Sequence, residues 1–380
     1  MNILQINTID NKGGAAKVAY SLKQELKTRG HNITFVVSKK YSNDNNVKLI
    51  RPYSNLRQRI LKKLTYYLAN DLDFFGSDRI LKMPEFKSAD IVHCHNLHTN
   101  YFNLSTLQKI SAIKPAVWTF HDMWPITAHC GHAFDGPLKE NGFFTCPSLD
   151  IYPPIAWHNE KYLESKKEEI YKNSNFNIVT PSKWLADKVN QSILKDKPLT
   201  VIYNGINMEV FKPQDKKTAR EELELPQDKK IILTVAKGGK ANPWKGWNYI
   251  QEVMDAFKDK NEIEFVNLGG EGAYISDPEI LSKYYSASDI LLYPSIADNC
   301  PLVVLEALAC RLPVVAFNTG GMPELINHKV DGYIAEYKNT NDIINGLEFV
   351  LNSQITPTTE ERFTIKKMTD QYIELYKSLL

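Results

Sequence analysis

Short runs of β-branched and aliphatic residues alternate with helix-period segments along the whole chain, and this alternation restricts the fold more than any other feature. In the first half the runs are NILQIN, NITFVVS, DIVHCHN, AVWTFHD and NIVTPS. In the second they are TVIYNG, KIILTVA, IEFVNLGG, DILLYPS, PVVAFNT and DGYIAE. Continuous apolar runs of this kind suit parallel strands covered by helices on both faces. The first crossover is clear, because Val18, Leu22 and Leu26 recur every four residues and Gly30 supplies the stop. A chain of 380 residues is long for one core. The pattern therefore predicts two doubly wound, Rossmann-like α/β units of about 190 residues each.

The boundary is expected within LKDKPLTVIYNGINMEVFKP, where Pro198 and a polar run precede a fresh strand and Asn-Gly marks a turn. This divides the chain into 1–197, 198–358 and a last helical segment, 359–380, returning to the first unit. Ile365, Met368, Tyr372 and Leu375 would form the apolar stripe of that helix. A formal charge of +2 points to no polyanion, so nucleic acid is not an expected partner. The five cysteines (Cys94, Cys130, Cys146, Cys300, Cys310) are odd in number and scattered. They suit reduced thiols of the cytoplasm better than a disulfide framework. MNILQINTID lacks the features of a signal peptide, and no apolar run reaches the roughly 18 residues of a membrane span. The expectation is a soluble, cytoplasmic protein.

Doubly wound sheets bind ligands at the carboxyl ends of their strands, beside helix N-termini. After the first strand, Gly13 and Gly14 let the backbone approach an anion, although a purely structural turn is equally open. Neither the dinucleotide G-x-G-x-x-G spacing nor a Walker P-loop is present. In the second half, Lys237 follows a buried strand and Lys245 precedes a helix, so the two cations suit a diphosphate; a solvated basic loop is the alternative. Gly269 with Gly270, and Gly320 with Gly321, end two further strands. In DNCPLVVLE, Pro301 is placed at the first helical turn with Asn299 or Cys300 as cap, and Leu302 follows. Asp298 then lies outside the helix and Glu306 one to two turns inside. Carboxylates accept hydrogen bonds from hydroxyls and repel phosphate. The economical arrangement puts a diphosphate on lysines and amides, a ribose on one acid, and a sugar on the other.

These motifs resemble the retaining glycosyltransferases of family 4, which have the GT-B fold. The resemblance rests on DNCPLVVLE followed by ALACRLPVVAFNTGGMPELI, on VIYNGIN, and on the glycine turn after the first strand. TFHDMWPITAHCGHAFDG is similar to a bacterial subgroup that builds exopolysaccharides and lipopolysaccharide-type glycans. The resemblance implies Glu306 on the donor ribose, Asp298 at the sugar hydroxyls, Lys237 and Lys245 on the diphosphate, and His121 near the sugar and attacking hydroxyl. It implies Gly13 and Gly14 beneath the phosphates, Gly320 and Gly321 as the second glycine turn, and no metal or other cofactor. Three departures stand out. Asp298 replaces the commoner Glu, Lys237 replaces Arg, and only Cys130 and Cys146 remain of the subgroup's cysteines after HDMWP.

Seven of the nine histidines (His93, His95, His98, His121, His129, His132, His158) fall in one stretch of the first half. Together they suggest an acceptor-side wall, with His95, His98 and His129 as its candidates. A zinc site at HCGH with Cys146 matches no standard spacing, and DLD at 71–73 is not read as a metal-binding motif. The resemblance further implies front-side attack with retention, on a glycan or lipid-linked acceptor. RQRILKKLTYYLANDLDFF, 57–75, sets Arg57, Arg59, Lys62 and Lys63 beside Ile60, Leu61, Leu64 and Tyr66 to Leu68. It reads either as a helix for peripheral membrane contact or as a solvated helix packed on its own unit. Two further functions stay open: a non-catalytic sugar-nucleotide-binding partner, and a sugar-nucleotide epimerase on the same fold.

Overall fold

The computed structural model describes residues 1–50, 55–73, 76–99, 101–236, 238–269 and 275–380. Two compact units emerge, one of Met1–Tyr203 with Met368–Leu380, the other of Asn204–Lys367. The first holds a seven-stranded sheet: β1 (Asn2–Ile9), β2 (Asn32–Lys39), β3 (Val47–Leu49), β4 (Ile91–Cys94), β5 (Ala116–Thr119), β6 (Asn177–Thr180) and β7 (Leu199–Val201). Its order is β3-β2-β1-β4-β5-β6-β7, and every pairing is parallel. The second holds β8 (Lys230–Val235), β9 (Ile263–Leu268), β10 (Ile290–Tyr293), β11 (Val314–Phe317) and β12 (Gly332–Ala335) in the order β12-β11-β10-β8-β9, also parallel.

The continuous apolar runs behave as their composition requires. All four residues of β4, β5, β10 and β11 are buried, because helices cover both faces. In the second unit Ile232, Ile290, Leu292, Val315 and Phe317 pack against Ile250, Val253, Ile343 and Leu347 of two flanking helices. Full burial of each such side chain is worth about 1.5–3 kcal/mol, so the sheet core is the main source of stability.

Several expectations need correction. The strand around TVIYNG belongs to the first sheet, where Ile178, Val179 and Thr180 pair with Leu199, Thr200 and Val201. The division therefore falls after Tyr203 instead of at 197/198. Pro198 immediately precedes the edge strand β7, where a missing N–H is tolerated, and does not mark a unit boundary. The second division lies at Lys367, not 358, since Ile206 exchanges backbone hydrogen bonds with Phe363 and Ile365. Only the later part of the helix Ile365–Ser378 joins the first unit, and its stripe runs through Tyr376 in place of Leu375.

The cysteines are not all thiols. Cys130 and Cys146 form a disulfide with Cα atoms 5.9 Å apart, while Cys94, Cys300 and Cys310 are free and buried. Bridges of Phe144 with Thr127 and Leu138 fold the intervening segment back on itself, which brings together two residues sixteen apart.

The helix expected over 57–75 is Asn55–Tyr67. It ends because Ala69 takes a left-handed φ of 47°, with Ala69 N–H donating to Tyr66 O and Asn70 N–H to Thr65 O. The Arg57 side chain and residues 74 and 75 lie outside what is described. Asp71 is buried, and Tyr162 and Asn70 donate to Asp73. Among the described residues, no helix is long and apolar enough to cross a membrane.

Candidate functional site

In the second unit the strand order reverses beside β8 and β10, the place where a doubly wound sheet opens a crevice at its carboxyl edge. Lys245 closes the short turn Pro243–Lys245, and Gly246 leads into the helix Trp247–Ala256. Gly246 has φ 66°, and a Cβ there would sit 1.9 Å from Pro294 O. Only glycine allows that approach. Trp244 O accepts from Ile296 N–H at 2.9 Å, and Ser295 Oγ lies 2.9 Å from the same oxygen. These contacts fasten the Lys245 turn to the end of β10.

Lys245 Nζ consequently lies 2.6 Å from Asp298 Oδ2 and 2.9 Å from Tyr293 Oη. The Tyr293 hydroxyl donates to the same Oδ2 at 2.8 Å and Ser295 Oγ at 2.6 Å. Burial pushes the Asp298 carboxyl up, but the ammonium and the two hydroxyls outweigh it and hold it below the usual range. Burial also disfavours the Lys245 ammonium, yet Asp298 raises its pKa above the ordinary value. Charged lysine and carboxylate are therefore the resting forms. Among the described residues all the hydrogen bonds to Asp298 fall on Oδ2, which leaves Oδ1 for a hydroxyl.

The chain then enters the helix Leu302–Ala309, with Pro301 in the capping position. This corrects the expected caps: Pro301 has extended backbone, so neither Asn299 nor Cys300 caps the helix, and no side chain does. The first-turn amides remain available to an acceptor. Asn204, part of YNGIN, donates from Nδ2 to Cys300 O at 2.8 Å and steadies that loop. Asn299 is buried. Glu306 is only 5% exposed, and Tyr285 donates to its Oε2 at 2.9 Å. Burial, then Glu306, keeps the Tyr285 phenol protonated by raising its pKa well above the usual value.

Gly269 (φ 78°) follows β9 and its carbonyl accepts from Gly238 N–H at 3.2 Å. Gly320 (φ 55°) and Gly321 turn the chain from β11 into the helix Met322–Leu325. Lys237 and Gly270 lie outside the described residues. Sequence alone does not single out Tyr293, Ser295 or Tyr285, and it marks Asn204 only as a turn residue. Hydroxyl residues at a strand end, in LLYPS, were the available signal for the first two.

In the first unit Gly13 caps the helix Gly14–Thr28 with φ 94°, and no side chain occupies the cap. A Cβ at Gly13 or Gly14 would meet nothing within 4 Å, so backbone conformation, not crowding, selects glycine at Gly13. His121 follows β5 and is partly exposed, its Nε2 3.0 Å from His95 Nδ1. Burial drives the His121 pKa down to about 4 and that of His93 to about 3, so both rings are neutral near pH 7.

The histidine wall is not formed. His95, His98 and His129 are all buried, since β4 and the segment after β5 run through the interior of the unit. His98 Nε2 meets Asp122 Oδ2 at 3.0 Å, and His129 Nδ1 donates to Pro153 O at 2.9 Å. His93 bonds Thr119 and Tyr376. Among the described residues no group of three or more His, Cys, Asp or Glu is placed to hold a metal ion.

The family model for Glycosyltransferase Family 4 matches residues 12–210, and that for Glycosyl transferases group 1 matches 273–369. The chain is 24% identical to the Escherichia coli (strain K12) colanic acid biosynthesis glycosyl transferase WcaC over 417 aligned positions, covering all of both chains. It is 25% identical to an uncharacterized glycosyltransferase of Methanocaldococcus jannaschii, covering 90% of this chain and 85% of the other. Among solved structures, sucrose-phosphate synthase from Thermosynechococcus elongatus matches with a TM-score of 0.67 at 16% identity, over 99% of this chain and 98% of that one. Anabaena HepE in complex with UDP matches with a TM-score of 0.64 at 15% identity over 100% of both. The fold is that of the GT-B glycosyltransferases, two Rossmann-like units each built on a parallel sheet.

Proposed function

This chain belongs to glycosyltransferase family 4, and on that premise we propose that it moves a sugar from a nucleotide-diphosphate sugar to a hydroxyl of a glycan or lipid-linked acceptor. The setting is bacterial polysaccharide assembly in the cytoplasm, by analogy with the relative assigned to colanic acid biosynthesis. The observation that carries the reading is the Lys245–Asp298 pair with Tyr293 and Ser295, set at the mouth of an uncapped helix that carries Glu306.

The second unit binds the donor. Glu306, oriented by Tyr285, accepts from the ribose, and Asp298 Oδ1 accepts from a sugar hydroxyl. Lys245 and Lys237, with the amides beside Gly14 and at Gly320 and Gly321, stabilise the diphosphate as its charge grows. The bond from the anomeric carbon to the phosphate oxygen breaks as the acceptor oxygen bonds to the same face. The acceptor proton passes to the departing diphosphate, so configuration is retained and no metal is required. His121 holds the sugar in line.

Mass spectrometry of a sugar-nucleotide panel incubated with the protein tests this. Slow release of free sugar from one donor, abolished in Glu306→Ala, is the expected result. Activity that disappears in EDTA and returns with a divalent ion would refute metal independence. Binding without turnover on every acceptor would favour a non-catalytic partner, and an isomerised sugar nucleotide would favour an epimerase.

We also propose that the helix Asn55–Tyr67 touches the membrane surface. Ile60, Leu64, Tyr67 and Leu68 share one face and are 45–66% exposed, beside exposed Arg59, Lys62 and Lys63. Co-sedimentation with phosphatidylglycerol vesicles should fall about tenfold in Ile60→Glu/Leu64→Glu; unchanged binding, or none in wild type, would dismiss the contact.

A further inference from the structure

Among the described residues the His121 ring has one hydrogen-bonding partner, His95, and the two ring planes lie 25° apart with centroids 5.3 Å apart. Between two neutral imidazoles the N···N contact carries one proton, so one ring donates and the other accepts. Burial keeps both neutral. The two assignments differ in what they leave elsewhere. If His121 donated, the second proton of the pair would sit on His95 Nε2, which is buried and meets no acceptor among the described residues. Orphaned buried N–H groups are rare because nothing replaces the lost water. If His95 donates from Nδ1, its Nε2 carries only a lone pair. The His121 proton then sits on Nδ1, which meets no protein acceptor among the described residues.

We propose that His95 is a positioning residue for sugar transfer, donating from Nδ1 to His121 Nε2 and so holding His121 in the tautomer that presents Nδ1–H to a donor-sugar hydroxyl. The proposal rests on the reading of His121 as the group that holds the sugar. His95 is itself held in plane. His93 packs against it with centroids 4.1 Å apart, and both His93 nitrogens are occupied, Nδ1 by Tyr376 Oη at 2.7 Å and Nε2 by Thr119 Oγ1 at 2.8 Å. Thr119 in turn meets Tyr372 Oη at 2.8 Å. The C-terminal helix thus supports a row of rings that ends at His121, in the way an outer partner fixes the tautomer of a histidine ligand.

Selective 15N-histidine labelling with long-range 1H–15N correlation reads the tautomer of His121 in the unliganded protein. Protonation at Nδ1 is expected in wild type and in His95→Asn, whose amide nitrogen takes the place of the donor. Protonation at Nε2 in wild type overturns the proposal, whatever the variants do. With the sugar nucleotide hydrolysed in the panel above, His95→Leu should lose about 100-fold in kcat with donor KM within about threefold. His95→Asn should recover to within about fivefold of wild type. Equal losses in the two variants overturn the proposal, because a role in packing alone would not distinguish them in this way. Full activity in His121→Ala removes the functional reading beneath the proposal, and that outcome is separate from the spectrum, which needs no substrate.

Discussion

Replacing Asp298 by Asn keeps the shape of the side chain and removes its charge. Asp298 Oδ2 accepts from Lys245 at 2.6 Å, Ser295 at 2.6 Å and Tyr293 at 2.8 Å. A hydrogen bond to a charged group is worth about 1.5–3 kcal/mol and a neutral one about 0.5–1.5, so the exchange costs about 1 kcal/mol per bond. Both side chains are about one-fifth exposed, so solvent relieves part of the stranded lysine's penalty. A net loss of about 2 kcal/mol follows, short of the roughly 3–5 for breaking a fully buried pair. For a unit of this size that lowers Tm by about 4–8 °C.

Calorimetry on wild type, Asp298→Asn, Lys245→Met and the double variant measures it, with a coupling of about 1–2 kcal/mol expected from the cycle. The pH dependence supplies a second check. The Asp298 pKa is depressed below 3.8, so its contribution is complete above 3.8 and is lost as pH falls through the folded value. Lys245 is raised above 10.5, so its share is complete below 10.5 and is lost as pH climbs through the folded value. The stability difference between wild type and Asp298→Asn should be flat from about pH 5 to 9 and shrink below about pH 4. A melting temperature within about 1 °C of wild type, or coupling under about 0.5 kcal/mol, would refute the reasoning.

Gly246→Ala should destabilise the second unit by more than about 3 kcal/mol in urea titration, since its Cβ would overlap Pro294 O at a left-handed φ; a loss under about 1 kcal/mol would show that the turn moves freely. Tyr285→Phe leaves Glu306 Oε2 without its phenol donor and should weaken UDP or GDP binding, whichever the protein takes, by about tenfold in calorimetry. Unchanged affinity would separate Glu306 from the ribose. His93 and His121 stay neutral in the fold to about pH 3 and 4, so below 6.5 the unfolded chain binds more protons than the native one. Stability should therefore fall from pH 6.5 toward pH 4, and a His93→Phe variant should fall less steeply; equal slopes would assign the acid sensitivity elsewhere.

Much of the fold was legible because its signals are local. Apolar runs such as ILLY and VVAF announce buried parallel strands by composition alone, and Gly30 ends the first helix where its period stops. The three-residue β3 is not legible in the sequence, because a strand that short, on a sheet edge, has no pattern of its own. β7 is legible as a strand but its sheet is not, because a run of apolar residues carries no record of its partner. The candidate site divides in the same way. Asp298, Glu306 and Lys245 could be selected from spacing beside a helix start, whereas Tyr293, Ser295 and Tyr285 acquire meaning only from whom they touch.

The sequence by itself determined the α/β class, the two sheets, and the acids and lysine at the carboxyl edge of the second, since these depend on periodicity and on residue chemistry. Tertiary structure decided what each side chain meets. Lys245 and Asp298 are 53 positions apart and become a pair only because Gly246 lets its turn approach Pro294. His93, His95, His98 and His129, read from their clustering as part of a surface, are interior because β4 lies at the centre of the sheet and the segment after β5 runs inside the unit, where a polar ring must find partners or stay neutral. Cys130 and Cys146 are joined because the chain between them folds back. Burial and pairing depend on distances between residues remote in sequence, and no local pattern encodes those.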